Sequence, residues 1–243
     1  MSAEEEFARR NREMIARLGD DAELRELTRR WFARVSQLEY SYHFRWMGRP
    51  VIQYPQDLVA TQEILWNVKP DLVIETGVAH GGSLIFYASI LELIGRGRVV
   101  GIDIEIRPHN RAAIEAHPMF KRIELIEGSS TDAEIFARVR ALAAGKQTVL
   151  VTLDSNHTHD HVLAELRLYS QLVTPGSYLI AFDTIVERMP AEFSANRPWK
   201  PGDSPATAVA QFLKETDRFV VDEEIDHKLL ISVAPGGYLR CVK

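Results

Sequence analysis

Three residues at the ends of two apolar runs have the types needed for joint chemistry: Asp154, His157 and Asp183. If Val149–Asp154 and Tyr178–Asp183 are neighbouring strands of a parallel sheet, the two carboxylates meet at the mouth of the crevice that such sheets form at their carboxyl ends. Two carboxylates there repel unless something positive lies between them. A hard divalent cation such as Mg2+ suits them, because it prefers oxygen ligands and keeps bound water. The alternative is that one aspartate caps a helix while the other faces water. His157, the nearest imidazole to Asp154, is the candidate general base. His159 and His161 fall at a helix start, where solvated side chains are expected. No His-x-Asp or His-x-Glu pair occurs, and Cys241 is the single cysteine, so a thiolate zinc site and the iron triad are both excluded.

A second constellation is Glu75-Thr76-Gly77-Val78-Ala79-His80-Gly81-Gly82-Ser83, directly after one apolar run and directly before a helical one. Glycines at a strand-to-helix turn let the backbone approach a ligand, and the helix start offers unpaired N–H donors. The Glu-x-Gly-x-x-x-Gly spacing differs from the Gly-x-Gly-x-x-Gly of pyrophosphate binders. It resembles the first motif of class I methyltransferases that use S-adenosylmethionine (SAM), where the acid and the turn face the amino-acid end of SAM. That likeness makes Glu75, Gly77, Ala79, Gly81 and Ser83 candidate cofactor contacts, with Asp154 beside them; a plain glycine-rich turn is the alternative. Asp103 ends the next predicted strand, where an acid accepts the ribose hydroxyls of an adenosine. A capping role for Asp103, or Glu105 in its place, stays open. Ser129 in Gly128–Asp132 either contacts the base or caps a helix.

The elements that must hold these residues alternate. Strands are predicted at Leu72–Glu75, Val99–Asp103, Ile123–Ile126, Val149–Asp154 and Tyr178–Asp183. Helices are predicted at Ser83–Ile94, His109–Ala116, Asp132–Ala143 and Thr158–Leu172, the third opened by a Thr131/Glu134 capping box. This pattern specifies an α/β, Rossmann-like fold with a mainly parallel central sheet flanked by helices. Phe219–Val221 and Lys228–Val233 read as two final strands, followed by a Gly236–Gly237 turn near the end. Upstream, Leu24, Leu27, Trp31, Phe32, Val35 and Leu38 recur at helical spacing in a charged N-terminal arm. Tyr40 to Gln53 reads as an aromatic loop, and Pro55 opens a helix through Trp66. The division expected is an N-terminal helical arm with a substrate-side loop over 1–55 and the catalytic domain over 56–243. The polar, Pro-rich stretch to Asp203 is a candidate lid ahead of a helix begun by Ser204 and Pro205.

A net charge of −5 and a pI near 5.9 leave no basic stripe, so nucleic acid is not expected as a partner. No apolar run is long enough to span a bilayer, and Met1 to Arg10 lacks the apolar core of a signal peptide; no membrane partner is expected, and the cytoplasm is the expected compartment. The apolar N-terminal helix is a candidate interface between copies in a homo-oligomer.

Taken together the sequence resembles the cephalosporin hydroxylase and rhamnosyl O-methyltransferase family of SAM-dependent enzymes, from about Tyr40 to Val186. The carriers are Gly48-Arg49-Pro50-Val51-Ile52-Gln53 with Asp57 and Gln62-Glu63, then Glu75 through Ser83, Asp154 through Leu166, and Gly176-Ser177-Tyr178-Leu179-Ile180. The resemblance implies a class I methyltransferase fold, bound SAM, and Mg2+ held by acids at the ends of the fourth and fifth strands. It implies a sugar hydroxyl or a hydroxylated antibiotic as acceptor. One departure stands out: Phe182 replaces the first of an acidic pair, so only Asp154 and Asp183 match, and either Glu187 or water completes the coordination or the ion is lost.

The expected activity is therefore SAM-dependent O-methylation of a sugar or natural-product hydroxyl, assisted by Mg2+. The acceptor oxygen must sit opposite the leaving sulfur, with Asp154, His157 and Asp183 as the catalytic group. Tyr40, Gln53 and Tyr54 are candidate acceptor contacts. Tyr40, Tyr42 and Trp46, with residues 189–205, either close over the acceptor or pack in the core. A nicotinamide-dependent oxidoreductase is the rival enzyme, but no Tyr-x-x-x-Lys pair exists. A non-catalytic SAM-binding module is the rival of another class.

Overall fold

The computed structural model describes residues 1–190 and 192–243. Along the chain run α1 (Ala3–Asp20), α2 (Ala22–Val35), β1 (Arg45–Trp46), β2 (Arg49–Pro50), α3 (Pro55–Val68), β3 (Leu72–Thr76), α4 (Gly82–Ile94), β4 (Arg98–Asp103), α5 (Pro108–Glu115), β5 (Ile123–Glu127) and α6 (Ala133–Ala143). There follow β6 (Val149–Leu153), α7 (His159–Tyr169), β7 (Tyr178–Ala181), α8 (Pro205–Glu215), β8 (Phe219–Val221), α9 (Glu223–Leu229) and β9 (Tyr238–Cys241).

Seven strands form one sheet in the order β5-β4-β3-β6-β7-β9-β8, with β3 to β7 parallel and β9 antiparallel to both neighbours. Every residue of β3 and β6 is buried, as expected of parallel strands covered on both faces. One apolar cluster carries the inward faces of α3 and α4 against Val73, Val99 and Leu150; the other carries α6, α7 and α8 against Ile74, Val100 and Val151. Strand order reverses between β3 and β6, where Thr76 lies beside Leu153. That switch point is where a doubly wound sheet opens a ligand crevice. Gly77 and Asp154 are the first residues past it.

Buried Asp57 on α3 ties in the C-terminal segment, accepting hydrogen bonds from Ser232 Oγ at 2.6 Å, Val233 N at 3.0 Å and Tyr238 Oη at 2.7 Å. This explains one correction. Lys228–Val233 is not a strand: α9 ends at Leu229, and Ser232 and Val233 turn inward onto Asp57, leaving β9 to form after the Gly236–Gly237 turn. A second correction concerns α6, whose N-cap is Asp132, accepting from Glu134 N and Ile135 N, in place of Thr131. Strands β6 and β7 stop at Leu153 and Ala181, so Asp154 and Asp183 lie just beyond the ladder.

The arm holds two helices. α1 is opened by a Ser2/Glu5 capping box that the charged composition concealed, and it packs on α9, where a side chain at Gly19 would collide with the His227 ring. Within Tyr40–Gln53 a hairpin joins β1 to β2 through Met47 and Gly48, at φ 44° and 87°, the positive pair a two-residue turn requires. Trp46 does not face the crevice; it packs edge-on against Phe86 and donates to Ser89 Oγ at 3.0 Å.

Candidate active site

Asp154, His157 and Asp183 converge from the loops after β6 and β7, each offering a ligand atom within 4.8 Å of the others. His157 Nε2 lies 3.2 Å from Asp183 Oδ2. Asp183 adopts φ 56°, a left-handed conformation that costs energy in a non-glycine residue and persists where the surroundings impose it. Asp154 is partly accessible from the crevice, yet burial of its carboxylate, then the nearby Asp183 and Glu75, push its pKa well above the usual carboxylate range. Gln53 Nε2 opposes that shift by donating to Asp154 Oδ2 at 3.0 Å, while the buried Gln53 Oε1 has no partner. A crowded acidic pair plus an orphaned acceptor is the setting a cation and its donor-bearing ligand would relieve. Phe182 is buried and contributes no ligand. Glu187 is not brought to the cluster; its carboxylate accepts from Gly202 N and from Ser204 Oγ, anchoring the strap that precedes α8.

The glycine turn lies against the same loop. At Gly77, φ is 92° and a Cβ would collide with the Asp154 carbonyl, so both the conformation and the close approach demand glycine. Gly81 caps α4 at φ 76°. Asp103 Oδ2 accepts from Val78 N at 2.8 Å and Ala79 N at 3.2 Å, so it braces the turn. Its Oδ1 takes the Glu105 N–H at 3.3 Å, and Glu105 itself is exposed. Glu75 and Ser83 bond to each other, Ser83 Oγ donating to Glu75 Oε2 at 2.7 Å, with Tyr87 Oη donating to Oε1 at 3.0 Å. Ser129 shares a 3.1 Å hydrogen bond with Thr131 Oγ1 and caps nothing.

Burial drives the Glu75 pKa up to about 8 against the two hydroxyl donors, which lower it. A carboxyl protonated more readily in the folded chain stabilises it fully below the ordinary value of 4.5 and loses that contribution as pH climbs to about 8. Wild type is therefore expected to lose thermal stability relative to Glu75→Gln between pH 5 and pH 8, as read by melting midpoints across that range.

A cavity of about 490 Å³ opens on the other side of the three-residue cluster, within the ~300–1,000 Å³ typical of small-molecule sites. Tyr40, Tyr42 and Tyr54 line one part, His157 and Asp183 another, and Phe193, Arg197 and Trp199 from the strap a third. The buried Tyr54 ring stacks on Phe32 at 4.8 Å, and burial raises its hydroxyl pKa, with Asp183 adding to the effect. Trp199 meets His157 edge-on at 4.7 Å, with the Arg197 guanidinium 5.3 Å over its own ring. Sequence reasoning placed a lid here without naming Trp199; an aromatic within a polar stretch was the available signal.

The histidines of α7 are half-buried and hydrogen-bonded to neighbouring segments. His159 bonds to Thr207 Oγ1 at 2.8 Å and Gln211 Oε1 at 3.1 Å on α8, and its N–H meets Asp203 Oδ1 at 2.7 Å. His161 lies 3.2 Å from both Ser130 Oγ and Ser155 Oγ, and Ser155 Oγ donates to the buried Glu165 at 2.7 Å. These bonds fix the loop that carries Asp154 and His157.

A mainly parallel seven-stranded sheet with an antiparallel penultimate strand, a glycine turn at its switch point and acids on the neighbouring strand ends is the class I methyltransferase fold. Residues 38–242 match the model of the family described as rhamnosyl O-methyltransferase/CmcI, and the chain belongs to that family. The rhamnosyl O-methyltransferase of Mycobacterium tuberculosis is 31% identical over 202 residues, covering 80% of this chain and 76% of the relative. That of Mycobacterium leprae is 36% identical over 143 residues, covering 57% and 59%. Among solved structures, a CmcI complex with Mg and SAM superposes with a TM-score of 0.59 at 19% identity, over 83% of this chain and 78% of that one. An O-methyltransferase from Bacillus cereus in complex with S-adenosylhomocysteine (SAH) gives 0.52 at 16% identity, over 92% of both chains.

Proposed function

We propose that this enzyme transfers the methyl group of SAM to a hydroxyl of a sugar or glycosylated natural product, with Mg2+ held by Asp154 and Asp183. The observation that carries the reading is the convergence of Asp154, His157 and Asp183 at the switch point, between the Gly77 turn and the 490 Å³ cavity. The names of the mycobacterial relatives support a sugar acceptor, and the CmcI complex supports the pairing of SAM with Mg2+.

In this reading SAM supplies the electrophilic methyl, its amino-acid end over Gly77, Ala79 and Gly81, its ribose at Asp103 and its base near Ser129. Glu75 and Ser83 act from beneath, shaping the turn through their mutual hydrogen bond. Mg2+ held by Asp154 and Asp183 would supply Lewis acidity to the acceptor hydroxyl. Asp183 holds His157 by their 3.2 Å contact, which keeps the imidazole at the crevice mouth as the base that receives the hydroxyl proton. Gln53 orients Asp154, while Tyr40 and Tyr54 give the acceptor an aromatic wall. With Phe182 in place of a second acid, Asp154 and Asp183 are the carboxylates that would hold the ion. Residues 1–55 form the arm and substrate-side loop, and 56–243 the catalytic domain. The buried free thiol of Cys241 supports a reducing compartment, the cytoplasm, and the exposed Phe7 and Met14 on α1 support contact between copies in a homo-oligomer.

The test is transfer of labelled methyl from SAM to a panel of rhamnosides and other glycosides, with Mg2+ or with EDTA. Transfer is expected with Mg2+, falling about tenfold or more on chelation. SAH binding in a calorimeter without transfer to any glycoside would favour a non-catalytic SAM-binding module.

A further inference from the structure

The turn over which the proposed methyl donor lies is held from outside the sheet. Arg49, on β2, directs Nε and Nη2 at the His80 carbonyl, at 3.0 and 2.6 Å, and Nη2 also donates to Asn110 Oδ1 at 3.0 Å. Asn110, buried on α5, passes the grip on by donating Nδ2 to the Ala79 carbonyl at 2.9 Å. Ala79 is a non-glycine residue at φ 44°, a conformation that its neighbours must enforce. Asp103 takes the N–H groups of this turn and the Arg49–Asn110 pair takes its carbonyls, so the backbone on either side of the strained Ala79 is fixed. The guanidinium makes no ion pair among the described residues, so its directional hydrogen bonds are its recorded partners.

The same stretch of chain continues into the chemistry. Pro50 and Val51 lie so close over α4 that a Cβ at Gly82 would strike their backbone. Ile52, at φ 39°, lines both the crevice over Gly77 and the acceptor cavity, and Gln53 reaches Asp154.

We propose that Arg49 is a positioning residue for the methyl donor, acting directly on the His80 carbonyl and through Asn110 on the Ala79 carbonyl. The inference rests on the proposed use of that turn for SAM. A lysine keeps the charge but cannot reach two acceptors with a planar fork. Arg49→Lys is therefore expected to weaken SAH binding and raise the KM for SAM about tenfold, while kcat at saturating SAM stays within about twofold of wild type. Asn110→Ala should show the same pattern. The double variant should fall well short of the product of the two losses, because the two side chains are bonded to each other and hold adjoining peptides of one turn.

Calorimetric titration of the full chain with SAH, together with steady-state kinetics and melting midpoints, makes the test. Wild type is titrated first; failure of wild type to bind SAH would reject the functional reading itself. If wild type binds, unchanged SAH affinity in Arg49→Lys overturns the positioning role. So does a kcat loss equal to the KM effect, or multiplicative losses in the double variant. Should Arg49→Lys fail to fold, Asn110→Ala and Asn110→Asp carry the same comparison, with weakened SAH binding at near-native kcat supporting the role and unchanged binding overturning it.

Discussion

Replacing Asp183 by Asn is expected to lower kcat about 10²-fold or more while leaving SAH affinity within about threefold of wild type. The carboxylate stands 3.2 Å from His157 Nε2 and shares the three-residue cluster with Asp154, yet it lies on the cavity side, away from the Gly77 turn. An amide keeps the shape but removes the charge that attracts a cation and orients the imidazole. Losing general-base or metal assistance typically costs 10²-fold or more, about 2.7 kcal/mol of barrier. Single-turnover kinetics with a glycoside acceptor, beside SAH titration, separates the two effects. Equal losses in turnover and in SAH binding would remove the division of roles between Asp183 and the glycine turn.

Asp103→Ala is expected to produce the opposite pattern, a loss of SAH affinity of about 10²-fold. The proposed reading gives this aspartate two tasks. It would accept the ribose hydroxyls of the donor, and its Oδ2 binds the N–H groups of Val78 and Ala79. A charge-assisted hydrogen bond contributes roughly 1.5–3 kcal/mol, so loss of the proposed ribose contact is by itself enough for about 2.7 kcal/mol, the 10²-fold effect expected. Asp103→Asn serves as the companion variant: its amide oxygen can still receive the turn, and intermediate affinity is expected. Equilibrium titration with SAH checks both.

Where sequence and structure agree, the reason is periodicity. Buried β-branched runs such as Leu72–Thr76 and Val149–Leu153 have few alternatives to a covered parallel strand, and they fix the switch point within a residue or two. The glycine turn was legible because Gly77 occupies a position that excludes any side chain. Partnerships between distant segments were not legible. Nothing local in Glu75 or Ser83 reveals that they satisfy each other across the strand-to-helix turn, or that Glu187 belongs to Gly202 and Ser204. Lys228–Val233 carried strand composition, but the buried carboxylate of Asp57 on a distant helix draws its end into a loop. His159 and His161 looked solvated because their partners, Thr207 and Ser130, lie far away in sequence.

The account stands most directly on where the donor lies. A crystal of the enzyme grown with SAH and Mg2+ should show the amino-acid end of SAH over Gly77, its ribose hydroxyls at Asp103, and its sulfur directed toward the cluster of Asp154, His157 and Asp183. Density for SAH at another place, with the Gly77–Asp103 crevice left empty, would contradict it.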